Sequence, residues 1–382
     1  MTDLWAEAGQ SHAAESLRAA VARGQVPHAW AFTGPGGVGQ EEAARALAAA
    51  LNCPRTAQGR PCGTCDVCRR CARGAYPALW EFHRVGREHR VDDVREAWLH
   101  AASRSPVEGT WKVLRIADAD HMNDTAANAF LKVLEEPPER TVWVLDVTDP
   151  DELPDTILSR CRAVRFVPWR PDELDRQARR LGLDEAADRA LVVRASLGLP
   201  ARLRRLCAEG GLDDLRAHRA VVAGLREEGP GHALVAARAW EEEAKRRTAA
   251  IKVHDQSTRA ELADLYGVEV PRAVTRQLDE RQKREEREAR TAVAQDALDD
   301  LLSWLRDMLL VAAGGDPGDA LHVDAPDALR ADARALGPAA LLRACDRVVA
   351  TREEVELNVQ QGLALEALFL DLSALVLEPT AG

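Results

Sequence analysis

The stretch Ala31-Phe32-Thr33-Gly34-Pro35-Gly36-Gly37-Val38-Gly39-Gln40-Glu41 decides the fold of this chain. Gly34 and Gly39 match the two glycines of a phosphate-binding loop, G-x-x-x-x-G-K-[ST], with Gly36 and Gly37 between them. In such a loop the backbone N–H groups surround the phosphates, the Lys reaches the β- and γ-phosphates, and the hydroxyl holds Mg²⁺. A chance glycine-rich turn is the alternative interpretation of this segment alone.

The two residues after the glycines change the chemistry of the loop. Gln40 stands where the Lys belongs, and Glu41 stands where the Ser or Thr belongs. A neutral amide supplies no counter-charge to a triphosphate, and the Glu41 carboxylate adds repulsion. We therefore predict a nucleotide-binding fold that no longer hydrolyses nucleotide, with ATP bound weakly or not at all.

The elements around the loop have the order that this motif requires. Residues 28–33 form a short apolar run that predicts a strand, and the Ala-rich residues 41–51 predict a helix. Further along, residues 111–118 predict a strand that ends at Asp118, the position of a Mg²⁺-orienting acid in P-loop ATPases. The next position normally carries the acid that polarises the attacking water, and this chain has Ala119 there.

Composition sets limits on the rest of the chain. Its 382 residues, 46% of them hydrophobic, suggest two or three domains. The formal net charge of -11 argues against a surface that binds nucleic acid throughout, so we expect any DNA contact to be local or shared with partners. No apolar run approaches the roughly 18 residues of a membrane span, and the N-terminus does not resemble a secretory signal. We expect a cytoplasmic protein without a membrane partner.

Four of the eight cysteines are clustered at Cys53, Cys62, Cys65 and Cys68. In a cytosolic protein this spacing is typical of metal binding rather than of disulfides. Four thiolates suit a structural Zn²⁺ site in tetrahedral geometry and leave no open position for catalysis. Cys71 repeats the two-residue spacing, so a ligand set of Cys62, Cys65, Cys68 and Cys71 is an alternative.

Strands and helices alternate after the cysteines, which predicts a parallel sheet with its ligand crevice at the strand C-termini. Asp92 is expected to cap a helix that has Val94 and Trp98 on its apolar face. The remaining predicted elements are a helix at 123–136, a strand at 141–148, a short helix that ends by presenting Arg160, and a strand at 163–166.

Three segments together resemble the bacterial sliding-clamp loader, an AAA+ family. They are the four cysteines, Ala127-Asn128-Ala129-Phe130-Leu131-Lys132-Val133-Leu134-Glu135-Glu136-Pro137-Pro138, and Ile157-Leu158-Ser159-Arg160-Cys161. The resemblance extends from about residue 28 to about residue 205. It implies an α/β AAA+ P-loop core with a parallel sheet and a four-cysteine zinc module (core 1–168, module 53–71), a small helical lid domain (169–209) and an all-α collar domain (210–382).

Two subunit types of that family share the zinc module and the Ser-Arg-Cys segment. The ATP-hydrolysing gamma/tau type keeps Lys and Ser or Thr in the loop, an acid after Asp118 and an Arg early in its second domain. This chain has Gln40, Glu41, Ala119 and Gly198-Leu199-Pro200-Ala201 at those places, a pattern similar to the delta-prime type. The resemblance thus implies no intrinsic ATPase, and an active AAA+ ATPase with an atypical loop is the alternative.

The resemblance also implies a role in a complex. Arg160 would project towards ATP held by a neighbouring gamma/tau subunit and act there as an arginine finger in trans. The implied partners are the gamma/tau and delta subunits and, through the complex, the beta sliding clamp and primed DNA in a nucleoid-associated replisome. An ordinary surface ion pair is the alternative for Arg160.

The second half of the chain is helical by pattern and rich in charge. We interpret Arg202, Arg204 and Arg205 as a solvated helix face. Residues 240–247 and 277–290 mix charge signs at one-turn spacing, which predicts a long exposed helix with i to i+4 ion pairs. A nucleic-acid contact is an alternative for this charged run. Residues 297–312 and 341–377 return to amphipathic periodicity, which suits packing against partner helices.

Overall fold

The computed structural model describes residues 3–9, 11–84, 88–106, 108–266, 270, 272–356 and 360–377. The chain divides into two compact units. The first contains residues 1–169, 199–201 and 258–278, and the second contains residues 170–198, 202–257 and 279–382. Among the described residues, no helix is both long enough and apolar enough to cross a bilayer.

A five-stranded parallel sheet lies at the centre of the first unit. Its strands are hydrogen-bonded in the order β2-β3-β4-β1-β5, and every neighbouring pair is parallel. This confirms the parallel sheet that the alternation of elements predicted. The strands are β1 (Ala29–Thr33), β2 (Leu79–Phe82), β3 (Lys112–Ile116), β4 (Thr141–Val147) and β5 (Arg162–Arg165).

Side chains alternate between the two faces of the sheet, and both faces are buried. Trp30 and Phe32 of β1 pack into one core together with the helices near the N-terminus and the glycine loop. Ala29 and Ala31 face the opposite core, where Phe130 lies. The helical elements of this unit are α1 (Leu4–Glu7), α2 (Ser11–Ala22), α3 (Gln40–Asn52), α4 (Asp66–Ala72), a π-helical segment (Asp93–Trp98) that continues into α5 (Leu99–Ser103), a 3₁₀ turn (Ala119–His121), α6 (Asp124–Glu135) and α7 (Asp155–Leu158).

The ends of two helical segments are formed in different ways. Asn123 caps α6 through its side chain, which accepts a hydrogen bond from the Ala126 N–H group, and α6 ends just before the proline pair. The expectation for Asp92 was wrong, because its backbone is already helical (φ -68°, ψ -37°) and its side chain makes no capping bond. Asp93 instead accepts a hydrogen bond of 2.7 Å from the Arg90 N–H group.

The second unit is built from helices. Gly337, which has φ 70°, interrupts α14 just before Pro338. Its core joins aromatic residues such as Trp240 and Trp304 to the apolar faces of the C-terminal helices. The helices, some of which extend into the first unit, are α8 (Pro171–Arg180), α9 (Ala186–Ala195), α10 (Pro200–Cys207), α11 (Gly211–Glu228), α12 (Gly231–Tyr266), α13 (Arg272–Ala312), α14 (Pro326–Glu356) and α15 (Gln361–Leu377), with a 3₁₀ turn at Pro317–Asp319.

The charged run of the sequence lies in the two longest helices, α12 and α13. They contain 36 and 41 residues. Arg281 pairs with Glu285 at 2.7 Å, and Gln282 donates to Glu286 at 2.8 Å, as expected for side chains one turn apart. The Asn358-Val359 pair near the C-terminal helix lies outside the described residues.

Candidate functional site

The glycine loop joins β1 to α3 and makes two close approaches to other backbone segments. Gly34 (φ 138°) and Gly39 (φ 115°) both adopt conformations that residues with a side chain rarely take. A Cβ atom would lie 2.1 Å from the Phe166 carbonyl oxygen at Gly34 and 2.2 Å from the Ala8 carbonyl oxygen at Gly39. Glycine is therefore required at both positions, and the loop has the strand–loop–helix context that the sequence predicted.

The Gln40 side chain folds back into this loop. Its Nε2 donates to the Pro35 carbonyl oxygen at 2.7 Å, and its Oε1 accepts a hydrogen bond of 3.2 Å from the Val38 N–H group. The residue is only 4% exposed. Backbone N–H groups of such a loop are the donors that would hold a phosphate, so the amide of Gln40 competes for one of them. The sequence indicated the missing Lys but not this internal substitute.

Glu41 belongs to a network of five charged side chains beside the loop. Its carboxylate pairs with Arg45 at 2.6 Å and with Arg115 at 3.2 Å. Arg115 also pairs with Asp146 at 2.6 Å, and Arg45 pairs with Glu81 at 2.9 Å. Both guanidinium groups are thus held by carboxylates of this chain.

The pKa of Asp146 in this network is raised to about 6, because burial disfavours the carboxylate and outweighs the attraction of Arg115. A carboxyl group in this state still accepts the hydrogen bond of 2.8 Å from Arg115 Nε. The network is therefore tightly paired and contains a surplus of acidic groups.

Asp118 lies just beyond the end of β3, where the sequence placed it. Its backbone has φ 51°, a conformation that is uncommon for a residue with a side chain. Its Oδ2 accepts a hydrogen bond of 3.1 Å from Arg84 Nε. The following Ala119 is buried and offers no group that could polarise water.

Three nearby side chains, Asp120, His121 and Glu152, have potential ligand atoms within 4.8 Å of one another. Oδ2 of Asp120 accepts hydrogen bonds from the backbone N–H groups of Thr148 and Asp149, at 3.0 and 2.9 Å. Asp120 therefore connects the segment after β3 to the segment after β4, and we assign it a structural role.

Arg160 follows α7 and has a weakly held side chain. Its Nη1 donates to the Thr156 carbonyl oxygen at 2.8 Å, and its Nη2 pairs with Glu135 at 2.9 Å. The two partners of this ion pair are 38% and 55% exposed. Because exposed ion pairs contribute about 1 kcal/mol or less, another anion can take the place of Glu135 at little cost.

The four predicted cysteines meet in a single cluster. Their Sγ atoms lie within 4.8 Å of one another, and three of the separations are 3.5, 3.7 and 3.9 Å. Four sulfurs bound at about 2.3 Å to a tetrahedral Zn²⁺ would be about 3.8 Å apart, so the spacing fits such an ion. Cys71 is buried but is not a member of the cluster, which disfavours the alternative ligand set.

Backbone N–H groups point at the sulfurs of this cluster. Cys53 Sγ accepts from the N–H groups of Arg55 at 3.3 Å and Cys62 at 3.5 Å. Cys62 Sγ accepts from the N–H group of Cys65 at 3.4 Å. Such donors stabilise thiolates and orient metal ligands, so the surroundings of the cluster also fit a bound cation.

The interpretation of the α10 arginines as a solvated helix face was wrong for Arg202 and Arg205. In the second unit, Arg202 and Arg205 both pair with the buried Asp300 at 2.7 Å. His218 bridges Asp300 and Glu243, at 2.9 Å from each. Burial disfavours the charge of His218, but the two carboxylates outweigh this and raise its pKa to about 9. These residues form a buried charge network in which the basic partners of Asp300 lie 82 to 98 residues away from it in sequence.

The first unit thus combines a parallel α/β sheet, a glycine loop between β1 and α3 and a cluster of four cysteines. Residues 9–170 match the family model described as DNA polymerase III, delta subunit. This segment is similar in sequence to subunits of DNA polymerase III.

Two relatives show the extent of the similarity. DNA polymerase III subunit tau of Escherichia coli (strain K12) is 40% identical over 153 residues, which cover 40% of this chain and 24% of that protein. DNA polymerase III subunit gamma/tau of Mycobacterium tuberculosis (strain ATCC 25618 / H37Rv) is 38% identical over 130 residues, which cover 34% of this chain and 22% of that protein. The chain thus spans about a quarter of the length of each of these two relatives.

Among solved structures, a DNA polymerase III gamma subunit-related protein from Thermotoga maritima is similar to 94% of this chain and 99% of its own. Its sequence identity is 16% and its TM-score 0.42. Both values indicate a distant similarity.

Proposed function

We propose that this chain is a non-hydrolysing subunit, of the delta-prime type, of the DNA polymerase III clamp loader. The observation that carries the proposal is the position of Gln40, whose amide occupies the loop and bonds to the Pro35 carbonyl and the Val38 N–H group. Glu41 at the Mg²⁺-binding position supports it, because its carboxylate is already held by Arg45 and Arg115. Ala119 occupies the position from which an acid would activate water, and its methyl group cannot do so.

In this proposal the chain contributes to catalysis at a site in another subunit. Arg160 leaves its exposed partner Glu135 and contacts the γ-phosphate of ATP in a neighbouring gamma/tau subunit. A guanidinium group placed there stabilises the charge that develops during phosphoryl transfer, an effect of about 10³ to 10⁵ in rate in related NTPases. The weak, solvent-exposed hold on Arg160 supports this role, because little energy is needed to release it.

The metal site has a structural role in this proposal. Cys53, Cys62, Cys65 and Cys68 hold one Zn²⁺ ion that ties the segment 53–71 to the end of α3. When bound, the ion supplies a cross-link between four thiolates and no open coordination position. The sulfur spacing and the N–H donors support the assignment.

The proposed subunit type also implies the domains of the chain and its partners. Residues 1–168 are the AAA+ core, residues 169–209 the lid and residues 210–382 the collar that packs against the gamma/tau and delta subunits. Exposed Leu363, Leu370 and Leu377, each seven residues apart on α15, support a helix surface that contacts partner helices. The complex acts on the beta clamp and primed DNA in the cytoplasm.

ATP turnover tests the proposal against an active ATPase with an atypical loop. The purified chain alone should hydrolyse no ATP above background. Adding it to gamma/tau and delta subunits, beta clamp and primed DNA should raise the turnover of the mixture. Brisk hydrolysis by the isolated chain would overturn the proposal in favour of the gamma/tau-like alternative.

A further inference from the structure

Arg70 lies two residues after Cys68 in α4 and is held on several sides within the first unit. Its two terminal nitrogens bind both oxygens of Glu108, at 2.6 and 2.7 Å. Its guanidinium carbon lies 4.6 Å from the ring centre of Tyr266 and 5.4 Å from that of Tyr76. Distances below about 6 Å are typical of cation–π contacts, so Arg70 lies between one carboxylate and two aromatic rings.

Tyr266 comes from a distant part of the chain. It ends α12, and together with the adjoining end of α13 it belongs to a helical tip, which we define as residues 258–266 and 272–278. The buried side chains Leu262, Val274 and Leu278 of this tip pack with Ala75, three residues after α4 ends. The tip therefore covers the C-terminal side of the cysteine segment with apolar surface.

Two polar contacts add to this docking. Glu261 of the tip pairs with Arg73, and the Tyr266 hydroxyl donates to the Ala75 carbonyl oxygen at 3.4 Å. The tip thus contacts Arg70, Arg73 and Ala75, all of which follow Cys68 within about two helical turns. These contacts attach the tip to α4 and the residues that follow it, and α4 carries Cys68 of the cysteine cluster.

We propose that docking of the helical tip stabilises the metal site, and we call this stabilisation the lock. When the tip undocks, α4 can move, so the site binds the metal less tightly and the metal dissociates faster. Because coupling between two sites is reciprocal, removal of the metal also weakens docking of the tip. The inference rests on the zinc assignment above. In this inference the ends of the long charged helices α12 and α13 support the metal site, a role that is independent of the glycine loop and of Arg160.

The test measures zinc loss in the full-length chain. Elemental analysis first establishes the zinc content, which should be about one ion per chain. Transfer of zinc to an excess of the chromophoric chelator 4-(2-pyridylazo)resorcinol is then timed for the wild type, Leu262→Asp and Tyr266→Ala. Both changes should lower the affinity for zinc by roughly 5- to 150-fold, the ordinary range of coupling between two sites, and should accelerate zinc transfer accordingly.

Val253→Asp is the matched control, because Val253 lies on the same helix α12 but is 66% exposed. It should leave the rate of zinc transfer unchanged. Tyr266→Phe keeps the stacked ring and should remain close to wild type. Hydrogen exchange of β1 and β4 checks that each variant keeps its sheet.

A second arm needs no variant. Hydrogen exchange of residues 258–266 is compared in the zinc-loaded and chelator-treated wild-type chain, and removal of zinc should speed their exchange. Equal zinc transfer in the wild type and the tip variants, or unchanged exchange of the tip after chelation, would overturn the lock while leaving the zinc site intact. A chain that binds no zinc as purified would instead remove the metal assignment itself, and the lock with it.

Discussion

Gln40→Ala is expected to strengthen nucleotide binding without producing an ATPase. In the wild type an entering phosphate must displace the Gln40 amide from the Pro35 carbonyl at 2.7 Å and from the Val38 N–H group at 3.2 Å. A hydrogen bond of this kind contributes about 0.5 to 1.5 kcal/mol, so displacing both costs about 1 to 3 kcal/mol. Since about 1.4 kcal/mol corresponds to a factor of ten, Gln40→Ala should lower the Kd for nucleotide by roughly 5- to 150-fold.

The assay is a titration of the purified chain with a fluorescent ATP analogue in the presence of Mg²⁺. Gln25→Ala is the matched control, because it makes the same chemical change at an exposed residue away from the loop. Hydrolysis should stay at background in all three proteins, since Ala119 is unchanged. Equal Kd values for the wild type and Gln40→Ala would refute the argument that this amide blocks the loop.

Three further predictions concern Arg160, the cysteines and His218. In the reconstituted complex, Arg160→Ala should reduce stimulated ATP turnover by about 10³-fold or more, whereas Glu135→Gln should leave it near wild type; unchanged turnover in the first variant would remove Arg160 from the mechanism. By elemental analysis Cys65→Ser should lose zinc and Cys71→Ser should retain it, and full zinc in the former would contradict the ligand set. The pKa of His218 is about 9 in the folded chain against an ordinary 6.5, so its stabilisation is complete below pH 6.5 and is lost as the pH rises through 9. The stabilisation lost on deprotonation of His218 amounts to about 3 kcal/mol. Chemical denaturation at pH 7 and at pH 10 measures it: the unfolding free energy should fall less between the two pH values in His218→Gln than in the wild type.

Local sequence spacing was sufficient to predict the parts of the site that are close together in the chain. Cys62, Cys65 and Cys68 are three residues apart, so one tight turn and the start of one helix bring their sulfurs together whatever the rest of the fold does. The position of Asp118 likewise follows from the end of a single strand. Their chemistry depends on short-range geometry, which a motif describes directly.

Contacts between distant segments could not be predicted in the same way. The basic side chains of α10 suggested a solvated face, because nothing near Arg202 and Arg205 in sequence reveals that Asp300 lies between them. Similarly, the charge pattern of α12 predicted a helix but not that Tyr266 at its end would contact Arg70. Periodicity identifies an element and its apolar face, whereas the partner depends on the tertiary fold.

The charged residues beside the glycine loop disfavour phosphate binding in addition to the absence of a Lys at position 40. Arg45 and Arg115 are two cations, and Glu41, Glu81 and Asp146 are three carboxyl groups, so the network has a surplus of one acidic group. A triphosphate needs cations that are free to turn towards it, and here both guanidinium groups are engaged by carboxylates of the chain. If Gln40 alone were replaced by Lys, the excess of carboxyl groups beside the loop would therefore still repel the phosphates. We therefore expect the Gln40 amide and the paired Glu41 carboxylate to act together in weakening phosphate binding at this loop.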